Sequence, residues 1–460
     1  LPQEPGGYSG FNGLFGHEYV APQISPSGPL TDLNGSVIQD PQGHVGFPGF
    51  DGMSAAVSLT YVAAKQEHGV QVTTGYISDA HDKHPSGPAY GPGEAGYAAA
   101  LKAYDSAFDK FFTRLAQVGL TTRNTLFVFT SDEGDHFVGG APSPANCDGV
   151  TVACTYSKIG EVNANLAGLL ATQAGITTPF KVHSDSAPTI YITGNPARDA
   201  TVTRAFARGL NTLTAVNPYT GSTDQVTQFQ ADAVGMKILH MITADPARTP
   251  TLVDFADPDY FLFAGAPNCT SPCVTVQAGF AWNHGDVAPD INTTWLGMVG
   301  PGVDQAGVNS TVWSDHTDVR PTVLSLAGLK DDYSHDGRVL TEVMQGWALP
   351  SAVKKSGSFV ALAQAYKQID AGVGEFALGS LRVSTRALGS GSGSDDSQYT
   401  SLENQLISLG SQRDTLASQI SAALEGAEYN GTAIGDAQAQ SLIAQANTLL
   451  ASMSALAAQP

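Results

Sequence analysis

Charge is scarce in this chain, and positive charge most of all. Charged residues make up 14% of its 460 residues, where ~25% is ordinary for a globular domain. Lys and Arg number 22 against 42 Asp and Glu, for a formal charge of -20. Such a balance leaves no basic face for a phosphate backbone, so a nucleic acid polymer is excluded as an expected partner. Excess carboxylate suits divalent cations, and it serves solubility equally well. No apolar run approaches the ~20 residues that a membrane helix requires, so no span is expected. No stretch reads as a secretory signal, and the chain opens on Leu1, so a mature, exported form is the expectation. Four cysteines form two close pairs, Cys147/Cys154 and Cys269/Cys273, with no zinc-type partners at matching spacing. Two local disulfides in an oxidising setting, extracellular or periplasmic, follow.

An apolar fraction of 42% over this length is ample for a large core. Residues 1–50 are rich in Gly, Pro and Ser and read as an irregular segment. Residues 51–347 read as the main α/β body, 348–394 as a helix and Gly/Ser linker, and 395–460 as a helical hairpin. Within the body, Asp51–His68 has helical spacing and stops at Gly69. Val70–Ile77 has the composition of a strand, and Gly96–Gly119 reads as an amphipathic helix. Leu126–Phe129 is a short apolar run of the kind buried on both faces of a parallel sheet. Strand, helix, strand in that order predicts a right-handed crossover with adjacent parallel strands. Glu161–Ala174 and Asp232–Ile242 read as helices, Thr189–Thr193 and Leu296–Val299 as strands. Near the end, Leu402, Leu406, Leu409, Leu416 and Ile420 form one a/d-like stripe. Leu442, Ala446, Leu449, Met453 and Leu456 form another, and two helices joined near Gly431 would bury one against the other. Such a hairpin is expected to dock or to form a homo-oligomer.

Three polar clusters stand at predicted strand ends. The first is Ser78-Asp79-Ala80-His81-Asp82-Lys83-His84, the second Thr130-Ser131-Asp132-Glu133-Gly134-Asp135-His136, the third Asn283-His284-Gly285-Asp286. In open α/β sheets ligands bind at the carboxyl ends of strands, and imidazole with carboxylate is the ordinary donor set of catalytic zinc. Taken one at a time, each cluster reads as well as a solvated acidic loop. The three together point to metal ligation.

The clusters, the Gly300-Pro301-Gly302 turn and the segment Asp318, Pro321, Thr322 resemble the alkaline phosphatase superfamily, closest to its nucleotide pyrophosphatase/phosphodiesterase branch. The likeness spans roughly residues 70–340. It implies a three-layer α/β/α sandwich on a mostly parallel sheet, here followed by the helical hairpin. It also implies two divalent metal ions, usually zinc, and hydrolysis of small phosphate esters. Carried over, Asp79, His84 and His284 match one metal site. His81 and Asp82 rival His84, because the spacing from Asp79 is one residue longer than usual. Asp132 and His136 match the other site, with Asp135 the rival of Asp132, since Glu133 occupies the usual His position. His316 matches no family ligand and reads as a supporting or helix-start residue. The family's first strand, with its Ser or Thr nucleophile, has no counterpart before Val70; Asp51-Gly52-Met53-Ser54 opens a helix instead. The catalytic nucleophile is therefore unassigned, and the chain is expected to hold an N-terminal fragment of the same protein non-covalently, or to close the gap with residues 1–50. The competing expectation is a degenerate or cleaved member serving as an extracellular structural or assembly subunit.

Overall fold

The computed structural model describes residues 21–40, 42–46, 48–49, 52–82, 89–269 and 272–459. The chain divides into two compact units. The first takes Leu1–Phe127, Phe137–Glu161 and Gln277–Trp282, the second Val128–His136, Val162–Val276 and Asn283–Pro460.

In the first unit, apolar residues at helical spacing give α1 (Ala55–Glu67) and α2 (Ala95–Gln117), which pack together. Gly69 and Gly119 follow their ends at φ +86° and +84°, a left-handed turn that glycine makes without steric cost. Arg114 on α2 grips Glu67 on α1 with both arms of its guanidinium, at 2.6 and 2.7 Å. Helix α2 buries Ala107, Phe111 and Leu115, and Phe111 and Phe112 meet Phe127 edge-on. A satellite core gathers Ile24, Ile38, Met53, Tyr61 and Ala64. The Cys147–Cys154 disulfide is formed, with the Cys154 N–H bonded to the Gly93 carbonyl.

The second unit carries several small sheets. Strand β1 (Phe127–Thr130), whose first residue belongs to the first unit, is one of them; β2 (Glu161–Asn165), β3 (Phe180–His183), β4 (Thr189–Ile192) and β5 (Thr227–Ala231) follow. Then come β6 (Leu252–Ala256), β7 (Tyr260–Phe263), β8 (Val274–Gln277) and β9 (Leu296–Val299). The largest sheet has the order β3-β4-β6-β5 and is antiparallel throughout. Its strand β6 is buried at all five residues. A three-stranded sheet runs β7-β2-β8, with β7 and β2 parallel, and β1 and β9 form a two-stranded sheet. The Cys269–Cys273 disulfide is formed. Helix α3 (Thr201–Leu210) precedes four helices at the carboxyl end: α4 (Phe359–Asp370), α5 (Glu375–Gly389), α6 (Ser397–Tyr429) and α7 (Asp436–Ala457). All four pack on one another, so the stripes on α6 and α7 are buried against α4 and α5 as well as each other. The approach of α5 to α7 is close enough that a Cβ on Gly379 would collide with Met453.

This arrangement corrects the expected three-layer sandwich. Helix outweighs strand, 39% to 15%, and no sheet among the described residues exceeds four strands. The first cause is Val70–Ile77, which forms no strand. Val72 is 84% exposed, and strand composition has little force without a partner and a covered face. The predicted crossover to β1, and the shared edge for the first two clusters, fall with it. Glu161–Ala174 is likewise no single helix. Its first five residues are drawn into β2 by parallel pairing with β7. Asn165 then caps a short turn, its side chain accepting the Gly168 N–H at 2.9 Å.

Buried cations tie the second unit together. Lys367 on α4 is fully buried, and its Nζ lies 2.9 Å from Asp315 and 3.2 Å from Asp318. Removing one partner of a buried ion pair strands the other. Lys367→Met is expected to lower unfolding free energy by about 3–5 kcal/mol, read by urea denaturation; a loss under about 1 kcal/mol, the worth of an exposed pair, would show the group to be dispensable.

Candidate metal centre

Strand β1 ends at Thr130, whose hydroxyl donates to the Trp295 carbonyl at 2.8 Å. His316 closes the same turn: its Nε2 lies 2.8 Å from the Ser131 carbonyl oxygen. Beyond, Gly134 presses its backbone on the short helix Pro289–Asn292, its N–H donating to the Ile291 carbonyl at 2.8 Å. A Cβ there would strike the Asp290 and Ile291 carbonyls, so only glycine permits this approach. The consequence is positional. Asp290 comes within 2.7 Å of His136 Nδ1, while His136 Nε2 stands 3.1 Å from Asp259.

The second and third sequence clusters meet in this unit. His284 Nδ1 lies 3.5 Å from Asp135 Oδ1, and its Nε2 lies 3.9 Å from Glu133 Oε1. Glu133 also accepts the Gly285 N–H at 3.1 Å, and Gly285 at φ +80° turns the chain where a Cβ would meet the Asp185 carboxylate. A separation of 3.5 Å is long for a hydrogen bond. It is close to the edge of a tetrahedral shell with bonds of ~2.0–2.1 Å, which places donor atoms ~3.4 Å apart. His284 Nδ1 and Asp135 are therefore spaced as two ligands of a zinc-type ion, while Glu133 faces the opposite ring nitrogen. Asp132 is exposed, its Oδ1 accepting the Glu133 N–H.

An all-oxygen group adjoins His136 through Asp259. One oxygen each from Asp224, Asp257 and Asp259 fall within 4.8 Å of one another. Asp224 comes from the strand Thr223–Gln225, Asp257 and Asp259 from the turn between β6 and β7. Asn217 donates to Asp224 at 2.8 Å and to Asp259 at 2.6 Å, and the Tyr260 hydroxyl donates to Asp224 at 3.2 Å. Asn283, next to His284, donates to the Pro258 carbonyl at 2.7 Å and fixes that turn to the third cluster. Three carboxylate oxygens are the donor set of a hard cation such as calcium or magnesium. None of the three was singled out by sequence, because Asp in turns is common; the Asp257-Pro258-Asp259 spacing was the available signal.

The electrostatics follow from burial and these contacts. The neighbouring Asp135 carboxylate, outweighing burial, raises His284 to about 9. Burial lowers His136, but bonds to Asp259 and Asp290 overcome it and carry that group to about 9 also. Burial raises Glu133, and burial lifts Asp286 to about 7. Asp286 is 5% exposed, and its Oδ2 has no hydrogen-bond partner among the described residues.

In the first unit, Asp79, His81 and Asp82 occupy the loop after Ser78. The Tyr104 hydroxyl donates to the Ser78 carbonyl, and His81 stacks on Trp282 at 4.9 Å between ring centroids. His84 lies outside the described residues. Of the predicted ligands, Asp135, His136 and His284 are thus brought into one acidic neighbourhood of the second unit. Glu133, Asp259 and Asp290 join them there. Neither the protein-family models nor the curated proteins contain a match to this chain.

His136 gives a pH test. Its pKa rises from 6.5 unfolded to about 9 folded, so its contribution is complete below about pH 6.5 and is lost as pH climbs through about 9. With Asp290 half-exposed, that contribution is on the order of 1–2 kcal/mol. Denaturation of wild type in chelator should show this loss between about pH 6.5 and 9.5, and His136→Gln should flatten it; equal slopes would mean the ring is not held as an imidazolium.

Proposed function

We propose that the chain carries the metal-binding part of an exported hydrolase that acts on small phosphate esters. The observation that supports this is the meeting of Asp135 and Glu133 with His284, 149 and 151 residues away along the chain. A divalent ion bound there would supply Lewis-acid polarisation of a phosphoryl oxygen. The chain's own residues do the rest. Glu133, fixed by the Gly285 N–H, holds the His284 turn beside Asp135. His136, clamped between Asp259 and Asp290, carries positive charge at neutral pH and offsets the surrounding carboxylates. That offset favours an anionic substrate approaching a site otherwise rich in negative charge. The all-oxygen group Asp224, Asp257 and Asp259 is the candidate for a second, harder cation. Two disulfides fit action in an oxidising compartment.

The structural-subunit alternative rested on the missing nucleophile segment and on a hairpin free to dock. The hairpin's apolar stripes are buried within the chain's own four-helix pack, which removes the second of these supports and leaves the first. The nucleophile is not assigned, and water or a residue on an associated segment would serve.

Zinc and manganese titrations by calorimetry, with parallel turnover of a chromogenic phosphodiester, test the proposal. Wild type is expected to bind at least one equivalent, and His284→Ala and Asp135→Asn each to weaken binding by about 10–100-fold. Turnover should follow binding and vanish with chelator. Unchanged metal affinity in both variants would sink the assignment, and tight binding without turnover would restrict it to a metal site.

A further inference from the structure

A second feature lies outside the strand-end motifs. Between α3, β5 and α5 lies an open cleft of about 650 Å³, and no residue of the strand-end motifs lines it. Its size is that of an ordinary small-molecule site. Its charge is not ordinary for this chain. Arg208, Arg382 and Arg386 all line it, three of only 22 Lys and Arg in the sequence. No Asp or Glu lines it, although acids outnumber bases nearly two to one.

Two of the three guanidinium groups are held in place. Arg208 Nη1 bonds Asp396 Oδ1 at 2.8 Å, leaving its other donors available. Arg386 Nη2 donates to the Leu456 carbonyl at 2.9 Å, and Nη1 reaches Gln459 at the end of α7, so its charge is fixed without a carboxylate to cancel it. Arg382, one turn earlier on α5, is exposed and has no hydrogen-bond or ion-pair partner among the described residues. Arginine forks match planar or tetrahedral oxyanions two donors at a time. Around them the Gln225 and Gln228 amides and the Thr212 hydroxyl already donate to the Asn211 carbonyl, to Asp257 and to the Gly209 carbonyl, so their oxygens face a ligand as acceptors for its hydroxyls.

We infer that this cleft binds a small, hydroxylated oxyanion of the sugar-phosphate class, with the anionic group on Arg382 and Arg208 and the hydroxyls on the glutamine and threonine side chains. The inference is independent of the metal-dependent hydrolysis proposed above. It assigns the cleft a ligand-binding role, since no His, Cys, Asp or Glu lines it to activate a hydroxyl or hold a metal.

The test uses the full chain in chelator, so that phosphate held through a metal ion is excluded. Calorimetric titrations with glucose 6-phosphate, inorganic phosphate and glucose are run on wild type, Arg382→Ala and Arg382→Lys. The sugar phosphate should bind more tightly than phosphate alone, glucose should not bind measurably, and affinity should fall as salt is raised. Arg382→Ala should weaken the sugar phosphate at least tenfold and Arg382→Lys less, since lysine keeps the charge and loses the fork. Arg382 is exposed, so neither variant threatens folding. Equal affinity in wild type and Arg382→Ala would place any binding elsewhere, and an absence of binding up to millimolar concentration would refute the site outright.

Discussion

The second unit depends on matching a few buried cations to oxygen. Moving an ion out of water costs several kcal/mol unless its partners are in place. Arg204, Arg338, Lys367 and Arg413 are all nearly or wholly buried. Arg204 donates to the Leu388 and Ala387 carbonyls and lies over the Tyr399 ring at 3.6 Å. Arg338 grips both oxygens of Glu342, at 2.8 and 2.9 Å. Arg413 faces Asp370 at 3.4 Å. Arg204, Lys367 and Arg413 join elements distant in sequence, and Arg338, paired locally with Glu342, reaches back to the Trp313 carbonyl at 3.0 Å. The pairings give the helical pack a register that apolar stripes alone leave loose, because leucine stripes tolerate sliding and a stranded charge does not.

That constraint was hidden from the sequence, while periodicity was not. The helices at Ala55–Glu67 and Ala95–Gln117, the strand at Phe127–Thr130 and the hairpin helices were legible from spacing and stop residues. Sheet architecture was not. A strand is stabilised by its neighbours, and the sequence of Val70–Ile77 carries no information about whether a neighbour exists. The reading of Phe127–Thr130 as a strand buried on both faces failed for the same reason, since its one partner among the described residues is Leu296–Val299 and only Phe127 is fully buried. The α/β/α expectation was built on order and composition, and neither specifies pairing.

The candidate centre divides along the same line. Residues adjacent in a motif, Glu133 to His136 and Asn283 to Asp286, were visible because chemistry-bearing types concentrate there. The residues that complete their environment come from turns with no local signature. Asp259 and Asp290 acquire meaning from the fold, through Asn217 and through the close approach that Gly134 allows. A glycine inside an acidic run reads as flexibility, yet here it is a packing requirement that delivers Asp290 to His136.

The same scarcity of positive charge bears on how an anionic ligand would enter a chain of -20. At physiological ionic strength the Debye length is about 8 Å, so the distant acids are largely screened from a ligand at a given cleft. The local groups decide. Near His136 and His284 the ligand meets two imidazoliums among a larger number of carboxylates, and a bound cation is needed to reverse the sign there. In the cleft beside α5 the sign is already reversed by fixed guanidinium groups, with no metal required. Binding at the first place should therefore depend on metal and at the second on salt, because the positive charge is borrowed in one case and built into the side chains in the other.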